Sequence, residues 1–287
     1  MMDQDKRPYR SVLYIPGSKE RALEKAKTLA VDAIIFDLED AVAIEEKANA
    51  RMMLAETIRT GGYGTRVKIV RINGLDTEWG ALDVAAMANA GADAILLPKV
   101  NSAADLDALG ALIPDVDLWA MIETPLGILN AAEIAAHPRL KGFVLGTNDL
   151  AKDLNCQFRA DRLPLMTSLQ LSLLAARAYG VICIDGVYNA FKDDDGLRVE
   201  SEQGRALGFD GKSLIHPAQV AIANEVFAPS EAEITLAQRQ IEAFQAAEAA
   251  GQGVAVLDGK IVENLHVATA QVILAKAAAI AARETTQ

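Results

Sequence analysis

The chain has 287 residues, 51% of them hydrophobic, with a formal net charge of −11 and a pI of about 4.8. That is enough apolar material for one large core or two ordinary ones, and the acidity argues against nucleic acid and anionic membrane surfaces as partners. Two cysteines, Cys156 and Cys183, make neither a disulfide framework nor a metal spacing.

The first ten residues, MMDQDKRPYR, are polar and show no apolar leader core. No run approaches the ~18 apolar residues of a membrane span, so a soluble, cytoplasmic protein with reduced thiols is expected. Short apolar runs then recur: SVLYIPG (11–17), AIIFDLED (33–40), VKIVRING (67–74), AILLPKV (94–100), LWAMIETPLG (118–127), GFVLGTND (142–149), VICIDGVY (181–188) and FDGKSLIH (209–216). Near-continuous apolar runs suit parallel strands buried on both faces. Alanine-rich segments such as KERALEKAKTLA, WGALDVAAMANAGA, SAADLDALGALI and LSLLAARAYG lie between them, with apolar residues at helical spacing. Strand then helix, repeated eight times, predicts a TIM (β/α)₈ barrel over residues 1–227. A doubly wound open sheet is the alternative, but the GxGxxG loop that often accompanies it is absent.

Residues 228–287 exceed what a barrel needs. They read as a helix (228–251), a hairpin (254–262) turned at Asp258-Gly259, and a final apolar helix (265–283). This helix–hairpin–helix arm is expected to pack on a neighbouring subunit.

In such barrels the chemistry sits at the C-terminal strand ends. Those ends carry Pro16-Gly17, Asp37 to Asp40, Arg71, Lys99, Glu123, Asn148-Asp149, Asp185 and His216. Carboxylates sharing a dry pocket repel unless a cation neutralises them. With no Cys and little His among them, the donors are oxygens, which suits a hard divalent ion such as Mg²⁺ held by Glu123 and Asp149. Arg71 closes an apolar strand, so it needs an anionic partner. Either it pairs structurally with Asp37 or Glu39, or it supplies a fixed cation for an oxyanion. Lys99 could be a Schiff-base lysine, but nothing in the sequence shows it to be desolvated. Three scattered histidines make no zinc site.

The set SVLYIPGSKERALEKA, AIIFDLEDAV followed by Lys47, IVRING, ILLPKV, MIETPLGI, LGTNDLA and KSLIHPAQV resembles the citrate-lyase-β-like branch of the HpcH/HpaI aldolase/citrate lyase family. The resemblance covers nearly the whole chain. It implies a Mg²⁺-dependent barrel enzyme acting on a 3-hydroxyacyl-CoA thioester such as (3S)-malyl-CoA. Cleavage of a C–C bond would give acetyl-CoA and a 2-oxo acid, whereas hydrolysis would give malate and CoA. A citrate lyase β subunit working on a carrier-bound thioester is an alternative, as is a non-catalytic scaffold. The resemblance further implies a homotrimer or hexamer, Glu123 and Asp149 as Mg²⁺ ligands, and Arg71 as the oxyanion cation. Tyr14, Lys19, Lys25, Ile215 and His216 match CoA-contact positions, and Asn148 lies beside the metal. Lys19, Arg21 and Lys25 would supply the local positive charge that CoA needs. In KIVENLHV, Glu263 stands where lyases of the family tend to carry an Asp that acts in a neighbouring subunit's site. It is expected to act there in trans, or else simply to cap the last helix.

Overall fold

The computed structural model describes residues 7–284. It contains two compact units, one spanning Tyr9–Phe227 and the other built from Ala228 onward with Arg7 and Pro8.

The first unit is a closed barrel of eight parallel strands. These are β1 (Ser11–Pro16), β2 (Ala33–Asp37), β3 (Val67–Arg71), β4 (Ala94–Leu97), β5 (Asp117–Ile122), β6 (Leu140–Leu145), β7 (Ile182–Asp185) and β8 (Gly211–Leu214). Each pairs with the next, and β8 pairs with β1, so the expected barrel topology is present. The helices between and after them are α1 (Glu20–Ala26), α2 (Lys47–Thr60), α3 (Gly80–Met87), α4 (Ala103–Leu112), α5 (Pro125–Leu129), α6 (Ala131–Ala135), α7 (Thr147–Asp153), α8 (Met166–Tyr179), α9 (Asp194–Leu207) and α10 (Val220–Phe227). The β5–β6 connection holds two short helices that periodicity did not separate. Thr124 caps the first of them, its Oγ1 accepting from Gly127 N at 3.0 Å, with Pro125 at the first helical position.

Strand side chains alternate between two apolar cores. Val12, Ala33, Ile35, Val67, Ile69, Ala94, Leu96, Trp119, Met121, Val144 and Ile184 fill the barrel interior with Tyr9. The intervening residues, among them Leu13, Ile34, Phe36, Val70, Ile95, Ala120, Phe143, Cys183 and Leu214, pack in the larger core under the helices. This parity decides which strand-end residues reach the barrel mouth. One step of two beyond the interior residues come Tyr14, Asp37, Arg71 and Glu123. Asp185 shares the outward parity of Cys183 and leaves the expected basin of carboxylates. It is fully buried, at 2.7 Å from Arg162 Nη1 and 3.4 Å from Lys212 Nζ. Those two cations, offsetting the desolvation that would raise it, hold its carboxyl below the usual range.

The second unit contains α11 (Glu231–Ala249), a hairpin of β9 (Ala255–Leu257) and β10 (Lys260–Val262), and α12 (Asn264–Glu284). Asp258 and Gly259 both have positive φ, at 50° and 77°, as a two-residue hairpin turn of the primed type requires. Ser230 and Glu233 form a reciprocal cap at the start of α11. Ala247, Ala255, Val262 and Val267 form the unit's own small core. The sequence expectation about membrane spans needs a correction here. α12 has the length and composition of a span, with a mean hydropathy of 1.6 over an 18-residue window. Polar residues interrupt the run, from Asn264 to Lys276, but alanines and branched residues outweigh them in the average.

Gly142 faces Trp119 across the β5–β6 pair, and a Cβ there would run into the indole. Gly142→Ala should therefore overpack the barrel interior at a cost of about 1–3 kcal/mol. A lowered thermal midpoint by calorimetry is the expected outcome, and an unchanged midpoint would show that the indole has room to move.

Candidate active site

Arg71 is the best-held cation at the mouth. Its Nε donates to Asp37 Oδ1 at 2.8 Å and its Nη2 to Asp37 Oδ2 at 2.6 Å. This bidentate fork fixes both the plane and the direction of the guanidinium. The Tyr14 ring covers one face, its centroid 5.0 Å from Arg71 Cζ. The remaining nitrogen, Nη1, lies 2.8 Å from Glu39 Oε2, 3.4 Å from Asp40 and 3.6 Å from Met121 Sδ. Burial disfavours the charged guanidinium, but Asp37, Tyr14 and Glu39 outweigh it and hold Arg71 cationic. Burial, eased by Arg71, drives the Tyr14 hydroxyl up, so it stays protonated and donates to Met121 Sδ at 3.7 Å.

The loop that carries Asp37, Glu39 and Asp40 is anchored from beneath. Lys47 Nζ donates to the carbonyls of Leu38 and Glu39 at 3.1 and 2.9 Å, and to Asn73 Oδ1 at 2.6 Å. Asn73 Nδ2 donates to Leu38 O and to Asp83, which also receives Arg51. The carboxylate of Asp37 caps its own loop, accepting from Glu39 N and Ala41 N. Burial pulls the Lys47 ammonium below its ordinary range.

Glu123 lies just past β5 and is 0% exposed. Its Oε1 accepts from Lys99 N at 2.9 Å, while Oε2 is buried with no hydrogen-bond partner. Burial raises its carboxyl to about 8, with the charge of Glu39 adding to the rise, Lys99 and Arg71 opposing it, and Asp149 adding a little more. Asp149 is not a strand-end residue as expected. β6 ends at Leu145, and Asp149 sits in the first turn of α7, half-buried, where the helix dipole favours a negative charge. Its charge still reaches Glu123. Gly146 precedes that helix, and a Cβ there would collide with the Glu123 carboxylate.

These residues fit a hard divalent cation. A buried carboxylate oxygen without a partner is costly unless a cation takes it. Among the described residues no group of three or more His, Cys, Asp or Glu side chains gathers as a metal cage. Two carboxylates alone match Mg²⁺, which keeps positions for water and substrate oxygens.

The other predicted residues are more dispersed. Lys19 and Lys25 are exposed at the two ends of α1. Asn148 exchanges amide hydrogen bonds with Asn189, at 3.2 and 2.8 Å. Ile215 is partly exposed, and its N–H donates to Gln219 Oε1. His216 accepts from Ala218 N and stacks on Phe191, centroids 4.7 Å apart. Lys99 Nζ pairs with Glu39 Oε1 at 2.7 Å, and that contact outweighs burial to raise its ammonium, the opposite of what a Schiff-base lysine needs. Glu263 lies in the second unit, immediately before α12. Its carbonyl accepts from His266 N and Val267 N, and His266 Nδ1 accepts from Glu263 N at 3.0 Å. His266 thus caps the helix start in the manner expected of Glu263, whose exposed carboxylate takes no part in it. Sequence reasoning placed Glu39 among the strand-end acids and as a possible partner of Arg71, and gave Lys47, Asn73 and Met121 no part in the site. All four stood in the quoted motifs, but only the fold reveals what Lys47, Asn73 and Met121 touch.

In the metal-free protein a Glu123 carboxyl at about 8 is protonated at neutral pH, so a cation must displace its proton. Apparent Mg²⁺ affinity should rise by about tenfold per pH unit from pH 6 toward 8 and then level off. Calorimetric titration in buffers of different ionisation enthalpy checks this; a pH-independent affinity would contradict it.

The profile of the HpcH/HpaI aldolase/citrate lyase family matches residues 10–217. A (3S)-malyl-CoA thioesterase of Cereibacter sphaeroides is 70% identical over 275 residues, 96% of each chain. Citrate lyase subunit beta of Leuconostoc mesenteroides subsp. cremoris is 38% identical over 277 residues, 92% of each chain. The crystal structure of CitE from Mycobacterium tuberculosis in complex with magnesium, acetoacetate and coenzyme A superposes with a TM-score of 0.79 at 31% identity, covering 95% of this chain and 99% of that one. A buried acid with one oxygen unpartnered, a clamped arginine and a barrel shared over nearly full length lead to one conclusion: the chain belongs to the HpcH/HpaI aldolase/citrate lyase family.

Proposed function

We propose that this enzyme hydrolyses (3S)-malyl-CoA to malate and CoA in a Mg²⁺-dependent reaction. The observation that carries the reading is the 70% identity, over 96% of both chains, to a (3S)-malyl-CoA thioesterase. The solved relative with magnesium and coenzyme A supports the cofactor and the substrate class.

Bound between Glu123 and Asp149, Mg²⁺ would supply the positive charge that polarises substrate oxygens. The chain's own residues account for the rest. Arg71 has two nitrogens committed to Asp37 at short range, so the thioester oxygen would meet its Nη1 edge, in place of the longer hydrogen bonds to Asp40 and Met121. As water attacks the carbonyl carbon, that oxygen gains negative charge, and a cation already fixed in place stabilises it without reorganising. Water loses a proton to a base, the C–S bond breaks, and the CoA sulfur takes up a proton. Tyr14 shields the guanidinium face from solvent. Lys19 and Lys25 offer the exposed charge for the CoA phosphates, with Ile215 and His216 as further CoA contacts and Asn148 beside the metal.

The base we assign is Glu263, delivered from a neighbouring subunit. Its carboxylate is uncommitted, and the same unit exposes Val256, Ile261, Leu265 and Val272. Exposed apolar residues at this density fit burial against another copy, so a homotrimer or hexamer with residues 228–287 as a docking arm is part of the proposal. A cytoplasmic setting suits the two free cysteines.

Incubation of the purified protein with Mg²⁺ and (3S)-malyl-CoA, followed by separation of products, tests the reading. Free CoA and malate are expected. Acetyl-CoA and glyoxylate would instead establish the C–C lyase reaction, the activity nearest the citrate lyase relatives. In the same assay Glu263→Ala should lower turnover by about 10²-fold, and wild-type turnover would remove Glu263 from the chemistry.

A further inference from the structure

Lys99 has a backbone that a side chain rarely adopts. Its φ is +51°, in the left-handed region, at the end of β4. Two successive N–H groups diverge there. Lys99 N donates to Glu123 Oε1 at 2.9 Å, and Val100 N returns to Met121 O at 3.3 Å. Glycine would adopt this turn without strain, yet it has no ammonium to offer. The ammonium of Lys99 is in use: Nζ lies 2.7 Å from Glu39 Oε1, while Glu39 Oε2 lies 2.8 Å from Arg71 Nη1. The contact with Arg71 is one of charge, since Oε2 accepts no aligned hydrogen bond.

Glu39 is therefore a nearly buried carboxylate beside the metal site that is gripped from both sides. Its charge acts on Glu123 more strongly than that of any other group. A divalent cation attracts every carboxylate within reach, and each one it recruits takes a position from water or substrate.

We infer that Lys99 is a positioning residue that assigns two neighbouring carboxylates to different tasks. Its N–H orients Glu123 for the cation, and its ammonium holds Glu39 on Arg71, so that Glu39 does not join the cation's ligands. This inference rests on the reading of Glu123 as a Mg²⁺ ligand. Its consequence is unusual for a residue that supports a metal site, because removing the side chain should tighten metal binding rather than weaken it.

The test is calorimetric titration of the substrate-free protein with Mg²⁺, comparing wild type, Lys99→Met, Lys99→Arg, Glu39→Gln and the Lys99→Met/Glu39→Gln double variant. Methionine keeps the length of the stem and the backbone demand of a non-glycine residue. Lys99→Met should bind Mg²⁺ about fivefold tighter or more, through release of Glu39. In the Glu39→Gln background the same exchange should change affinity by less than about twofold, and Lys99→Arg should bind as wild type. Equal tightening in both backgrounds would mean that Lys99 acts only as a nearby charge, and unchanged or weaker binding in Lys99→Met would mean that it holds nothing back. Either result overturns the inference. Glu123→Gln is the control for the underlying reading. If it binds Mg²⁺ like wild type, the metal-ligand assignment fails whatever Lys99 does, whereas loss of binding leaves the Lys99 comparison to decide alone.

Discussion

A carboxylate with one oxygen unpartnered in a fully buried position is the constraint around which this barrel mouth is arranged. Burial favours the neutral acid of Glu123 at neutral pH, and its surroundings divide the available positive charge among several acids. Arg71 is committed on one edge to Asp37, and Lys99 is committed to Glu39. Neither lends Glu123 a side-chain hydrogen bond; what it receives is the backbone N–H of Lys99. The site is thus short of one positive charge at Glu123, in a place where space has been left beside Gly146. A cation bound there, as proposed, would be coupled to proton release, because a group stable as the neutral acid without a cation becomes an ion with one.

The barrel supplies this arrangement through simple alternation. The interior core runs up each strand at every second residue and ends in Tyr14, Asp37, Arg71 and Glu123 on four different strands. Side chains that would be apolar one layer lower become the site at the top layer. The same rule puts Asp185 on the other face, where Arg162 and Lys212 neutralise it within the helix layer, Lys212 also pairing with Glu200. Two buried clusters of opposite charges therefore serve different ends. One balances two cations, Arg162 and Lys212, with two anions, Asp185 and Glu200, and links β7, β8 and α9. The other leaves an unmet demand at the mouth.

Much of this was legible in the sequence. Eight apolar runs separated by helical spacing predicted the eight strands, and the carboxylate or arginine that closes several of them pointed to the mouth. Strand ends alone were too coarse a guide, however. Asp37 and Asp185 look alike in sequence, and only their parity against Ile35 and Cys183 separates them, a signal that was present but not used. Asp149 reads as the end of a strand because LGTND follows an apolar run, yet Gly146 breaks the strand and Thr147 starts α7. The anchoring of the Asp37–Asp40 loop by Lys47 and Asn73 was not readable, since nothing local brings positions 38, 47, 73 and 83 together. Nor could the left-handed turn at Lys99 be read from LLPKV: Pro98 marks a turn, but lysine does not favour positive φ, and the hydrogen bonds on either side of it go to Glu123 and Met121, distant in the chain.

The central claim is that Glu123 and Asp149 together hold the catalytic cation. Crystals soaked in Mn²⁺, an oxygen-seeking substitute for Mg²⁺, would show it by anomalous scattering. A single strong peak within bonding distance of Glu123 Oε2 and an Asp149 carboxylate oxygen is the result predicted. A peak bound elsewhere, with Glu123 still lacking a partner, would contradict it.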